Sequence, residues 1–156
     1  HRYENITRRM FDERFIKFYH NNEGFEEIIK DLSQTLEEHG RIESWERFSE
    51  DVISREKIYP TTLGKYFAIP HPLTTFAQKT AISVAVLEKP MVYHNREMKI
   101  LFLLAIENKV DDDVNTLFQF FKQIALDKKL FQNLLDVQDK YEFIDKMIYI
   151  SKNIQL

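Results

Sequence analysis

The stretches AISVAVLEK (Ala81 to Lys89) and MKILFLLAIE (Met98 to Glu107) are apolar at most positions. A strand with one wet face alternates apolar and polar residues, and these do not. Theirs is the pattern of strands covered on both faces, which demands helices packed over a sheet. The rest of the chain can supply them. Phe25, Ile28, Ile29, Leu32 and Leu36 fall on one helical face, and Gly40 after His39 is a left-handed stop. SWERFSEDVISRE predicts a second helix, capped by Ser44, with Trp45, Phe48, Val52 and Ile53 as its buried stripe. Arg47 stands three residues after the cap, so its capping box is incomplete. DDDVNTLFQFFKQIAL predicts a third helix capped by one of Asp111 to Asp113, with KKLFQNLLDV and DKYEFIDKMIYISKN as two more helical pieces. RFIKFY (Arg14 to Tyr19) and YFAI predict short strands, YPTTLG a loop, and PMVYHNRE a polar excursion between the long strands. The expected fold is α/β, a mixed sheet of about four to five strands flanked by helices. It forms one domain over residues 14–156, with residues 1–13 as an N-terminal tail or linker from a larger chain.

Composition removes several classes of function. A net charge of −3, with acids and bases interspersed, leaves no basic footprint for direct nucleic-acid contact by this domain. The absence of cysteine excludes disulfides, thiolate metal sites and thiol catalysis, and fits a cytoplasmic setting. The longest apolar run, ILFLLAI, has strand length, far short of the ~20 residues a membrane helix needs, so no membrane insertion is expected. The chain does not start with Met, which suggests a piece of something larger.

The histidines are His1, His20, His39, His71 and His94, and none stands four residues from another, so no metal cluster is expected. His1 is terminal, His39 closes a helix where a partial positive charge suits the dipole, and His20 and His94 lie in polar turns. His71 differs, because Pro70 and Pro72 flank it. Each proline fixes its own φ and drives the residue before it out of the helical region. The imidazole is therefore presented from a stiff, extended rod. This restricts shape without specifying chemistry, and an exposed strand-end histidine satisfies it as well as a reactive one. A lone histidine without a serine or aspartate partner makes a poor hydrolase triad, whereas a nucleophile that attacks phosphorus needs fewer neighbours. Arg55, in SREK, has the planar fork that suits the phosphoryl oxygens.

With those residues in place, REKIYPTTLGKYFAIPHP (Arg55 to Pro72) resembles the signature of enzyme IIA domains of the fructose/mannitol type, from the bacterial phosphoenolpyruvate-dependent sugar phosphotransferase system. The matching positions are Arg55, Glu56, Thr61 or Thr62, Gly64, Ala68, Pro70 and His71. GFEEIIKDLSQTLEEHGRI and MKILFLLAIE…FFKQIALDKKLFQNLL resemble further elements, so the likeness runs from about Phe15 to about Ile148. The resemblance implies that His71 accepts a phosphoryl group from the carrier protein HPr, with Arg55 against the phosphate. Glu56, Thr62 and Gly64 would form the surroundings, Glu56 orienting Arg55 or capping locally. It implies a protein donor and no metal or organic cofactor.

Two departures stand out. Pro72 follows His71 where many members have a small residue. Members that pass phosphate efficiently often carry a second histidine at the start of a later helix, where Asp113, Val114 and Asn115 stand here. The aspartates are best explained as helix caps; near a phosphohistidine they would also repel its charge. The sequence therefore favours a regulatory domain of the kind found at the C-terminus of multidomain transcription regulators, phosphorylated on His71 by phospho-HPr. The alternative is a working phosphocarrier that hands the group to an enzyme IIB.

Overall fold

The computed structural model describes residues 2–21 and 23–154; His1 lies outside the described residues. The chain parts into two compact units, one comprising Phe15–Lys109 and the other built from the residues before and after that segment.

In the unit Phe15–Lys109 the sheet has five strands in the order β1-β4-β5-β3-β2. They are β1 (Ile16–Tyr19), β2 (Thr62–Leu63), β3 (Phe67–Ala68), β4 (Ala81–Tyr93) and β5 (Arg96–Ala105). The sheet is mixed: β4 runs antiparallel to β5 at its centre, β1 parallel to β4, β3 parallel to β5, and β2 antiparallel to β3. The two long apolar runs are the central pair, as their composition requires. Ala81, Ala85, Leu87, Leu101, Leu103 and Ala105 share one core cluster with Ile28, Ile29, Leu32, Leu36, Phe48, Val52 and Ile53. Ile82, Val84, Val86, Ile100, Phe102 and Leu104, which point the other way, are buried too. Phe102 meets Phe67 edge to face, 5.6 Å between ring centroids.

The first of those apolar faces belongs to two 14-residue helices, α2 (Phe25–Glu38) and α3 (Trp45–Ile58). Gly40, with φ of 68°, lies two residues beyond α2 and stops it as expected. Ser44 caps α3 by accepting a hydrogen bond from the Arg47 amide at 3.3 Å. The segment PMVYHNRE departs from expectation. It is no excursion: β4 and β5 continue through it, with a register shift between Val86 and Met91, to a turn at His94 and Asn95. Both turn residues have positive φ, 48° and 63°, the conformation that lets a tight turn match strand twist. The polar residues there mark solvent-exposed ladder, which one-dimensional polarity does not separate from a loop.

The second unit is helical: α1 (Arg2–Met10), α4 (Asp112–Leu126), α5 (Lys128–Phe131) and α6 (Lys140–Asn153). The sequence assigned residues 1–13 to a tail or linker; residues 2–10 form a helix whose Tyr3, Ile6 and Thr7 are buried. Tyr3 stacks on Phe120 of α4 at 5.0 Å. Three arginines in nine residues and few apolar ones hid this face. Asp111 caps α4, accepting from the Asp113 amide at 2.9 Å, and Asp113 pairs with Arg9. The cap explains the acidic run at the start of α4. No helix among the described residues is long and apolar enough to cross a membrane.

Candidate functional site

His71 lies immediately beyond β3, and the chain leading to it is tied on both sides. The Ile69 amide donates to the Thr61 carbonyl at 3.0 Å, extending the β2–β3 ladder, and the Leu104 amide donates to the Pro70 carbonyl at 2.9 Å, extending β3 along β5. The ring is fixed by its own chain. His71 Nδ1 stands 2.8 Å from the Ile69 carbonyl oxygen. A carbonyl can only accept, so Nδ1 carries the proton, and in the neutral ring the lone pair falls on Nε2. The tautomer is the one that makes Nε2 the nucleophile. The ring is half-buried.

Upstream of this lies a buried anchor. Glu56, 2% exposed near the end of α3, accepts from the Thr61 amide at 2.7 Å and from the Thr61 hydroxyl at 2.9 and 3.1 Å. Burial and the neighbouring Glu56 carboxylate, a hydrogen-bond partner, push the Tyr93 hydroxyl well above its ordinary pKa. Glu56 thus holds Thr61, Thr61 holds Ile69, and Ile69 holds the imidazole. Thr62 pairs with Ala68 in the β2–β3 ladder. Gly64, with φ of 62°, turns the chain, and its carbonyl accepts from Arg96 Nη1 at 2.8 Å. Arg55 Nη1 donates to the Tyr59 carbonyl at 2.8 Å, satisfying the end of α3.

Sequence reading passed over Asp51, one helical turn before Arg55. Its carboxylate accepts from the amides of Leu73, Thr74 and Thr75 at 2.8–3.0 Å and from the hydroxyls of Thr74 and Thr75 at 3.1 and 2.6 Å. Residues four apart share a helix face, so the face of α3 that meets the segment after His71 also carries Arg55. The signal in sequence is faint: an acid at i−4 from the arginine and a Thr-Thr pair beyond the second proline.

Burial opposes the Asp51 charge, but the Thr75 hydroxyl and the three amides outweigh it and hold its pKa at about 2. A carboxyl depressed on folding stabilises the fold above its unfolded value of ~4, and that contribution fades as pH falls through about 2. Solvent screening at this partly exposed site limits it to about 1 kcal/mol. Asp51→Ala should accordingly flatten acid denaturation between pH 4 and 2 relative to the parent chain, measured by urea midpoints across that range; parallel curves would contradict it.

The mixed five-stranded sheet with its flanking helices has the fold of solved mannitol-type IIA domains. The described residues superpose on enzyme IIAMTL, in its complex with phosphorylated enzyme IIBMTL from Escherichia coli, with a TM-score of 0.71 and 17% identity, over 87% of this chain and 95% of that one. The chain belongs to the family "Phosphoenolpyruvate-dependent sugar phosphotransferase system, EIIA 2", whose model matches residues 9–149. Among curated relatives, the probable licABCH operon regulator of Bacillus subtilis (strain 168) is 26% identical over 137 residues, 88% of this chain and 21% of the regulator. The 2-O-alpha-mannosyl-D-glycerate-specific EIIABC component of Escherichia coli (strain K12) is 38% identical over 85 residues, 52% of this chain and 13% of the component. The chain therefore spans about a fifth or less of each of these relatives.

Proposed function

We propose that this domain is a phosphoryl-accepting regulatory module of a longer, cytoplasmic chain, phosphorylated on His71 by phospho-HPr. The observation that carries the reading is the Nδ1–H bond from His71 to the Ile69 carbonyl, which leaves Nε2 as the nucleophile. In the step, the Nε2 lone pair attacks phosphorus while the bond from phosphorus to the donor imidazole breaks. The donor ring, protonated on its other nitrogen, takes back the electron pair and leaves neutral, and the His71 ring carries the positive charge until Nδ1–H is released. Charge that develops on the His71 ring is met by the Ile69 carbonyl, which already holds Nδ1–H. Arg55, on the α3 face turned to this segment, would meet the phosphoryl oxygens with its fork. The phosphorylated ring adds roughly −1.5 to −2 charges to an already acidic domain, enough to recruit or repel a neighbouring domain that carries arginines.

The switch reading is favoured by the operon regulator's likeness across most of the chain, and by Asp113, Val114 and Asn115 where carriers often have a second histidine. The EIIABC relative supports the alternative, a working carrier that hands the group to an enzyme IIB. Intact-mass spectrometry after incubation with phosphoenolpyruvate, enzyme I and HPr tests the shared step. One added phosphoryl group supports it, and an unchanged mass refutes it. Adding an enzyme IIB then separates carrier from switch, since a switch retains its group.

Arg55→Ala is expected to slow phosphorylation about a hundredfold, the size of effect seen when one preorganised charge-stabilising donor is removed. The fold should lose no more than about 1 kcal/mol, because the Tyr59 bond is exposed. Arg55→Lys should recover only part of the rate, having lost the planar fork. Equal rates in parent and Arg55→Ala would remove Arg55 from the site.

A further inference from the structure

We infer that Asp51 is a positioning residue for His71, acting through the segment Leu73–Thr75. This rests on the proposed phosphorylation of His71. On its N-terminal side His71 is anchored by the Pro70 carbonyl, which accepts from the amide of Leu104 in a central strand. On its C-terminal side Pro72 has no amide hydrogen, so Leu73 carries the first N–H that can anchor the chain. That N–H goes to Asp51, followed by those of Thr74 and Thr75.

The linkage from the clamp back to the imidazole is short and stiff. Pro72 fixes its own φ and confines His71 to extended backbone, which leaves few torsions free between the Leu73 amide and the His71 Cα. Asp51 itself sits in the second turn of a 14-residue helix whose Phe48 and Val52 are fully buried, so the clamp has a rigid base. Fixing both ends of a two-proline segment holds Nε2 in one place before the donor arrives. Such preorganisation acts on the chemical step, because a misplaced nucleophile costs rate after binding as well as before it. The clamp also gives the second proline a physical role: Pro72 transmits the position of the Asp51-bound turn to the ring.

The experiment compares parent, Asp51→Ala and Asp51→Asn, each checked for parent-like helicity. Phosphorylation by phospho-HPr is followed by intact mass at varied donor concentration, and His71 is followed by imidazole 15N resonances without any donor. Asp51→Ala is expected to lower kcat about tenfold with KM within twofold of parent, and to mix the two ring tautomers. Asp51→Asn, whose carbonyl oxygen still accepts amide hydrogens, should recover kcat to within about threefold and keep the Nδ1–H tautomer. An Asp51→Ala chain with parent kcat and parent ring resonances overturns the inference, as does a loss confined to KM. If the parent itself gains no phosphoryl group, the proposed function fails. The ring resonances then decide the role of Asp51 alone, and an unmixed Nδ1–H tautomer in Asp51→Ala overturns it.

Discussion

His71→Ala is expected to gain no mass under the conditions that add one phosphoryl group to the parent chain. The other described histidines are engaged differently. His39 closes α2, its Nδ1 2.9 Å from the Thr35 carbonyl and its ring edge-on to Phe15. His20 Nδ1 sits 2.6 Å from Glu88, a carboxylate that would repel an incoming phosphoryl dianion. His94 occupies the positive-φ turn between β4 and β5, edge-on to Tyr93. Among them, only His71 has both flanking residues fixed by proline. Removing its imidazole deletes the nucleophile outright, so the loss should be complete rather than graded. The added group should also be lost on mild acid treatment and survive alkali, as phosphorus bonded to an imidazole nitrogen does. A His71→Ala chain that still gains the group would place the acceptor elsewhere and dissolve the assignment.

How much of this was written in the sequence varies with the physics involved. The central pair of strands was legible because burial on both faces leaves near-continuous apolar runs. The α2 and α3 boundaries were legible because Ser44 and Gly40 have one local job each. The far half of the β4–β5 hairpin was not, since exposed ladder and loop share a polar composition. Helix α1 was missed for a related reason: three arginines in nine residues obscure a narrow face made by Tyr3 and Ile6. At the site, proline chemistry alone singled out His71, because the restriction it imposes is local. The tautomer, the Glu56–Thr61 bond and the Asp51 clamp depend on which segments meet in space. Asp51 and Leu73 are 22 residues apart, and no periodicity connects them.

Glu56→Ala is expected to destabilise the sheet-bearing unit by about 3 kcal/mol. The substitution removes an acceptor from the amide and hydroxyl of Thr61, itself 8% exposed, and from Tyr93. A buried donor left without a partner costs about 1–3 kcal/mol, and the loss strands the Thr61 amide, the Thr61 hydroxyl and the half-buried Tyr93 hydroxyl, a sum of about 3–9 kcal/mol. Some collapse and water entry bring the sum toward the lower figure. For a chain of this length that corresponds to a fall in Tm of roughly 6–12 °C. The single tryptophan, Trp45, lies on α3 with Glu56, so its fluorescence reports on the unit in question. Glu56→Gln keeps one acceptor oxygen and should cost about half as much. The consequence for the site distinguishes an anchor from a phosphate ligand. If Glu56 works through Thr61 and Ile69, the alanine variant should phosphorylate slowly and recover most of its rate in Glu56→Gln. A carboxylate that acted directly on the phosphoryl group would repel it, and both variants would then phosphorylate faster than the parent. An alanine variant within about 1 kcal/mol of the parent would mean that Thr61 finds another partner, and that the path from α3 to the imidazole runs through Asp51 alone.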